Sequence, residues 1–174
     1  MNQNHRPIVV GIVCFTNPSR GISQNGNPLY HLEEYQEYIE LWISTFPGVV
    51  VATPEFAEQL RFKCPVVSVV TPGSDIPVPD GTIHTTQDAH EALSFAKKRY
   101  NTIWSIGGNP VHEKLFREYD FLLTMELYEG NIQKKASEVF PDFIELFSNV
   151  AKFGKGFIPL NNLQYKLKSY EKIA

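Results

Sequence analysis

The sequence predicts an α/β domain: a mixed, mostly parallel sheet with helices on both faces and an antiparallel edge near the C-terminus. Three observations point there. Short β-branched apolar runs alternate with segments of helical period, those segments can serve as crossovers between parallel strands, and the last third carries strand-like runs without helical period.

Each element has its own local reason. Ile8 to Phe15 is a nearly unbroken apolar run closed by Asn17 and Pro18, the pattern of a strand buried on both faces. A long polar loop, Thr16 to Leu29, follows; its glycines and prolines predict an order set by what it packs on. From His31 to Thr45 the residues Leu32, Tyr35, Tyr38, Ile39 and Trp42 share one helical stripe, opposite Glu33, Glu37 and Glu40. Val49 to Ala52 reads as a strand, Pro54 to Leu60 as a short helix with proline in its first turn, and Pro65 to Val70 as a strand. Thr71 to Gly81 is a connection rich in proline and glycine, Thr82 to Thr85 a brief strand, and Asp88 the cap of a helix reaching about Arg99. Thr102 to Ile106 is a buried strand, Asn109 and Pro110 the cap and first position of a helix to about Arg117, and Tyr119 to Leu127 another strand. Phe147 to Phe153 and Leu163 to Tyr170 complete the strands.

With 174 residues, 43% of them hydrophobic, the chain reads as a single domain over 1–174. The formal charge of -3, with neither sign gathered into a block, argues against nucleic acid or a membrane surface as partner. Cys14 and Cys64 sit in apolar runs without zinc-site spacing and read as buried, reduced thiols, and no metal site is expected. Met1 to Pro7 is polar and precedes only a short apolar run, so the expectation is a soluble, cytoplasmic monomer.

Two features could carry chemistry. The strand Ile103 to Ile106 runs into Gly107, Gly108, Asn109 and Pro110; such a junction either lets a phosphate approach free N–H groups at a helix start or is simply a tight turn. Glu34 falls beside Tyr38 and Leu41 at the rim of the apolar stripe, where it is either a solvated flank residue or a partly desolvated carboxylate suited to an amide-like heterocycle. His31, His84, His90 and His112 lack the neighbours of a metal site or a triad and read as surface or capping residues.

The ordered motifs resemble those of dihydrofolate reductases over nearly the whole chain. Gly21-Ile22-Ser23-Gln24-Asn25-Gly26-Asn27-Pro28-Leu29-Tyr30 is similar to the family's lid, Gly-Ile-Gly-x-Asn-Gly-x-Leu-Pro-Trp, with the Leu-Pro order reversed and tyrosine for tryptophan. Glu34 and Tyr38 follow where the family has its acidic residue and an aromatic substrate contact. Ile106-Gly107-Gly108-Asn109-Pro110-Val111-His112-Glu113 resembles Ile-Gly-Gly-Gly-x-x-Tyr-Glu, Leu122-Leu123-Thr124 resembles Leu-x-Leu-Thr, and Phe140-Pro141-Asp142-Phe143 resembles Phe-Pro-x-Tyr/Phe. Tyr165 to Lys172 is similar to the closing strand.

The resemblance implies an eight-stranded mixed sheet, about four flanking helices and hydride transfer from a nicotinamide cofactor to dihydrofolate, giving tetrahydrofolate. It implies a catalytic set of Glu34, Thr124 and Tyr30, with Thr124 linked to the Glu34 carboxylate directly or through water. Val13, Cys14, Tyr38, Arg61, Lys63 and Ile106 would join Glu34 and Thr124 around substrate, Arg61 and Lys63 being alternatives for the folate tail. Cys14, Ile22, Ile106, Gly107, Gly108, Asn109, Pro110, Val111 and His112 would line the cofactor. The implied cofactor is NADPH, with NADH open: the family's Gly-Arg-x-Thr is replaced by Val51-Ala52-Thr53-Pro54-Glu55-Phe56, Gln87 stands near a usual basic position, and Pro110 takes the place of another arginine. Those losses leave two alternatives, a non-catalytic ligand-binding or structural protein on the same scaffold and a reductase of a ribosylated pyrimidine or related heterocycle.

Overall fold

A computed structural model describes residues 6–132 and 134–173, without the side chains of Asn131 and Phe153. The chain runs β1 (Ile8–Asn17), β2 (Gly21–Gln24), β3 (Asn27–Pro28), α1 (Glu33–Thr45), β4 (Val49–Ala52), α2 (Pro54–Ala57), β5 (Val66–Val69) and β6 (Thr82–Thr86). It continues through α3 (Ala89–Lys97), β7 (Thr102–Gly107), α4 (Asn109–Leu115), β8 (Phe121–Tyr128), β9 (Glu138–Val139), β10 (Phe147–Ile158) and β11 (Leu163–Lys172).

Eight of these strands form one sheet in the order β10-β11-β8-β1-β7-β4-β5-β6. The block from β8 to β6 is parallel, and β11 joins β8 antiparallel with β10 outside it. This is the mixed, mostly parallel sheet with an antiparallel C-terminal edge that the alternation predicts. The reason is visible in burial: Val49, Val50, Val51 and Ala52 are all fully buried, because a central parallel strand is covered on both faces.

Two apolar layers sandwich the sheet. One gathers Val9, Val13, Phe15 and Leu122 with α3, α4 and the aromatic group Phe140, Phe143 and Phe147. The other gathers Val10, Ile12, Leu123 and Met125 with Leu32, which caps α1, and the α1 residues Tyr35, Tyr38, Ile39 and Ile43. Strand alternation assigns each side chain of β1 and β8 to one layer.

Several local expectations are corrected. The segment read as an irregular lid is a small sheet: β2 pairs with β3 and with the distant β9. Asn25 (φ 51°) and Gly26 (φ 83°) turn the hairpin in the left-handed region that an Asn-Gly pair tolerates. The cap of α4 is Gly108 rather than Asn109, its carbonyl accepting from the amides of Val111 and His112. His112, read as a surface or capping residue, is fully buried. α2 is one turn, ending at Ala57, because Glu58 to Leu60 close with short-range turn bonds. Asp88 does cap α3, its carboxylate accepting from the His90 amide at 2.9 Å.

Candidate functional site

The C-terminal ends of parallel strands are where open α/β sheets usually bind ligands. Here that end of β1 meets the lid hairpin, the start of α1 and the single turn of α2. The crevice is lined by Cys14, Gly21, Ile22, Pro28, Leu29, Tyr30, Tyr35, Phe56, Gln59 and Leu127. Cys14, Ile22 and Tyr30, three residues singled out from the sequence, are thus brought together. The crevice is nearly full: its volume is about 10 Å³, room for roughly one water-sized sphere.

Helical phase decides what fills it. At about 100° per residue, Tyr35 lies within the stripe of Leu32, Ile39 and Ile43, whereas Glu34 falls on its flank. Tyr35 is accordingly buried and Glu34 half-buried, and Glu34 is not among the crevice residues. Burial holds the Tyr35 phenol well above its ordinary range, with the neighbouring Cys14 thiol as a smaller cause. Burial pushes Cys14 itself up to about 12, so a neutral thiol faces the crevice at physiological pH. Tyr38, also on the buried face, is raised to about 12 by burial, opposed by the Trp42 side chain.

Thr124 stands elsewhere. Its neighbours Leu123 and Met125 belong to the α1 layer, so Thr124 points to the opposite face of the sheet. There its hydroxyl donates to Glu126 at 2.7 Å, and the implied link to Glu34 is not formed. Val13 and Ile106 are buried within β1 and β7. Arg61 and Lys63 are exposed on the connection from α2 to β5, without a hydrogen bond or ion pair among the described residues.

The Gly107–Gly108 turn is occupied from within the chain. A β-carbon on Gly108 would lie 2.5 Å from the Phe56 ring, and one on Gly107 (φ 102°) 2.8 Å from His112 Nε2 and 3.2 Å from Phe56. The Gly108 amide donates to Thr53 Oγ1 at 3.1 Å, the amides of Val111 and His112 are taken by the Gly108 carbonyl, and Pro110 has no N–H. The Asn109 side chain donates to Glu113 at 3.3 Å. Gly108→Ala is therefore expected to cost about 1–3 kcal/mol through the clash with Phe56. The cost should fall when the same change is made in a Phe56→Ala background, as urea unfolding of the four proteins will show.

Behind the turn, His112 Nδ1 and Ser105 Oγ meet the Tyr119 hydroxyl at 2.7 and 2.6 Å. Burial lowers His112 to about 3, with the Ile106 carbonyl acting the other way although His112 Nε2 has no hydrogen bond of normal geometry. The neutral imidazole is a packed part of the core here, edge to face with the Phe140 ring at a centroid separation of 5.1 Å.

The lid is stitched down. The Glu138 carboxylate accepts from Ser23 Oγ at 2.8 Å, from the Gly26 amide at 2.9 Å and from Ser137 Oγ, while Ser137 Oγ accepts from the Asn25 amide. Burial raises the Glu138 carboxyl, but these donors outweigh it and hold it below the usual value. Lys134 Nζ lies 4.8 Å over the Tyr30 ring and 3.4 Å from the Leu29 carbonyl, so the loop before β9 braces the mouth of the crevice. Gln59 completes the crevice: it is buried, and its Oε1 has no partner among the described residues. Neither Gln59 nor Tyr35 was legible as a site residue, since each looks like ordinary helix or turn sequence until the layers are assembled.

Sheet order, crossover pattern and the placement of the crevice define a dihydrofolate-reductase-like fold. The chain is similar to the structure of dihydrofolate reductase from Enterococcus faecalis complexed with NADP(H) and RAB-propyl, with a TM-score of 0.69 and 17% sequence identity over 96% of this chain and 97% of that one. No protein-family model matches the chain, and no curated protein matches it in sequence.

Proposed function

We propose that this chain is a non-catalytic protein on the dihydrofolate-reductase scaffold. One observation carries the proposal: where a pterin and a nicotinamide ring would have to meet, the crevice has a volume of about 10 Å³, with Tyr35, Phe56 and Gln59 among its walls. The same Phe56 covers the glycine turn that would face a dinucleotide. Two further losses agree. Tyr35 rather than a carboxylate points inward from the start of α1, and no arginine stands in Val51-Ala52-Thr53-Pro54-Glu55-Phe56 to grip a 2′-phosphate.

A second reading is favoured by Gln59. A buried amide oxygen without a donor is costly, and an N–H-rich heterocycle could satisfy it if Tyr35 and Phe56 moved aside. In that reading NADPH or NADH gives a hydride to C6 of 7,8-dihydrofolate while N5 gains a proton, and half-buried Glu34 is the carboxylate that would serve the pterin. A ribosylated pyrimidine or related heterocycle would use the same acceptor.

The two readings separate in one assay. Mixed with dihydrofolate and either reduced cofactor, the protein is expected to leave nicotinamide absorbance decaying at the rate of buffer alone, with no calorimetric signal for either dinucleotide. Enzyme-dependent oxidation would overturn the proposal. In that event Glu34→Gln should lower turnover far more than Glu33→Gln, since Glu33 is exposed.

A further inference from the structure

We propose that an apolar pocket at the other end of the sheet binds an uncharged, ring-containing small molecule. The pocket opens where β1, β7 and β8 begin, opposite the strand ends that hold the filled crevice. Val10, Trp104 and Leu123, each less than one-tenth exposed, form the floor, and the Trp42 and Phe46 rings form one wall, with centroids 6.1 Å apart and planes 22° from parallel. Ile8 and Phe121 stand at the rim, 45% and 38% exposed. The cavity measures about 320 Å³, within the range of small-molecule sites.

The lining chooses the ligand class. None of its residues is charged, and its polar side chains are the small hydroxyls of Thr102 and Ser169 and two indoles. The Trp104 indole N–H is already committed, donating to the Phe46 carbonyl at 2.9 Å, which also holds the wall against the floor. A charged ligand would lose its hydration there without compensation. A planar apolar one would replace water against the aromatic faces. A flat face of a second copy would cover the rim and leave this concavity unfilled, so a small molecule is the occupant that fits. The inference does not depend on whether the crevice at the other end is catalytic.

The chain has two tryptophans, and both line this pocket. Titration of the whole protein with N-phenyl-1-naphthylamine, exciting tryptophan and reading energy transfer to the probe, is expected to show one saturable site per chain at micromolar concentration. Naphthalene-1-sulfonate should bind at least tenfold more weakly. Ser169→Phe, which fills the pocket, and Ile8→Lys, which sets a charge at its exposed rim, should each weaken the uncharged probe at least tenfold. Leu160→Ser, at a 98% exposed residue outside the pocket, should leave binding unchanged. Ile8→Lys keeps the test decisive should Ser169→Phe not fold. Unsaturable binding, equal binding of the sulfonate, indifference to Ile8→Lys, or a dimer by light scattering that binds probe only on dilution would overturn the proposal.

Discussion

Lys168→Met is expected to destabilise the protein by about 3–5 kcal/mol, the cost of leaving a buried carboxylate without its cation. That carboxylate is Glu126, whose side chain is 2% exposed. Lys168 Nζ donates to it at 2.9 Å, and the Tyr170 hydroxyl, Thr124 Oγ1 and Asn17 Nδ2 donate at 2.6, 2.7 and 2.9 Å. Burial, and then the hydrogen bond and charge of Glu126, hold the Tyr170 phenol well above its ordinary range, so it remains a donor at any physiological pH. The network clamps β8 to β11 and ties the end of β1 to both. Lys168 is itself only 15% exposed, so solvent screening does little to rescue the variant. The informative control is Glu126→Gln with Lys168→Met, in which the amide oxygen still offers an acceptor to the Tyr170, Thr124 and Asn17 donors. Removing both charges should recover most of the loss, because the desolvation cost disappears with the pair. Urea unfolding of the single and double variants gives the difference; a loss below about 1 kcal/mol in Lys168→Met would show that water reaches Glu126.

The second large effect is on acid stability. His112 titrates near 3 in the folded chain against an ordinary 6.5, because the buried imidazole cannot easily take a charge. The sign follows from that order. Above about 6.5 the group is neutral in both states and costs nothing. As pH falls below 6.5 the unfolded chain binds a proton that the folded chain refuses, so stability is lost at about 1.4 kcal/mol per pH unit until the folded group titrates near 3. His112→Gln removes the titration while keeping an acceptor for the Tyr119 hydroxyl. Unfolding free energies at pH 7 and pH 5 should then differ by about 2 kcal/mol more in the parent than in the variant. Other titrating groups are common to both proteins and cancel in that comparison. Equal pH dependence would mean that the folded imidazole accepts its proton, with the Ile106 carbonyl as partner.

How far the fold could be read in advance differs by element. β4 was legible to the residue, because a run of Val and Ala bounded by glycine and threonine matches a buried strand and little else. The stripe of α1 was legible for the same reason, periodicity being a local property. The small sheet was not legible: its first two strands lie in a polar segment that reads as a loop, and the third strand, β9, lies more than a hundred residues further on. β10 extends to Ile158, beyond its apolar run, because pairing with β11 rather than composition sets its length.

The site was harder to read. Glu34 stood out as a carboxylate beside apolar residues, yet the residue that enters the crevice is its neighbour Tyr35, and one step along a helix separates a flank from a core position. Thr124 matched a motif while its strand alternation turned it toward Glu126 instead of α1. His112 looked unremarkable because the Tyr119, Ser105 and Phe140 that enclose it are distributed over three other segments.

By itself the sequence determined the class of fold, the succession of helices and main-sheet strands, the buried stripe of α1 and the glycine turn after β7, since each rests on spacing within a few residues. Only the tertiary structure decided that Phe56 lies on that turn, that Tyr35 and Gln59 line the narrow crevice, that Glu126 is held by four donors and that two tryptophans line an apolar pocket. These are contacts between segments distant in the chain, and they depend on which faces the layers bring together.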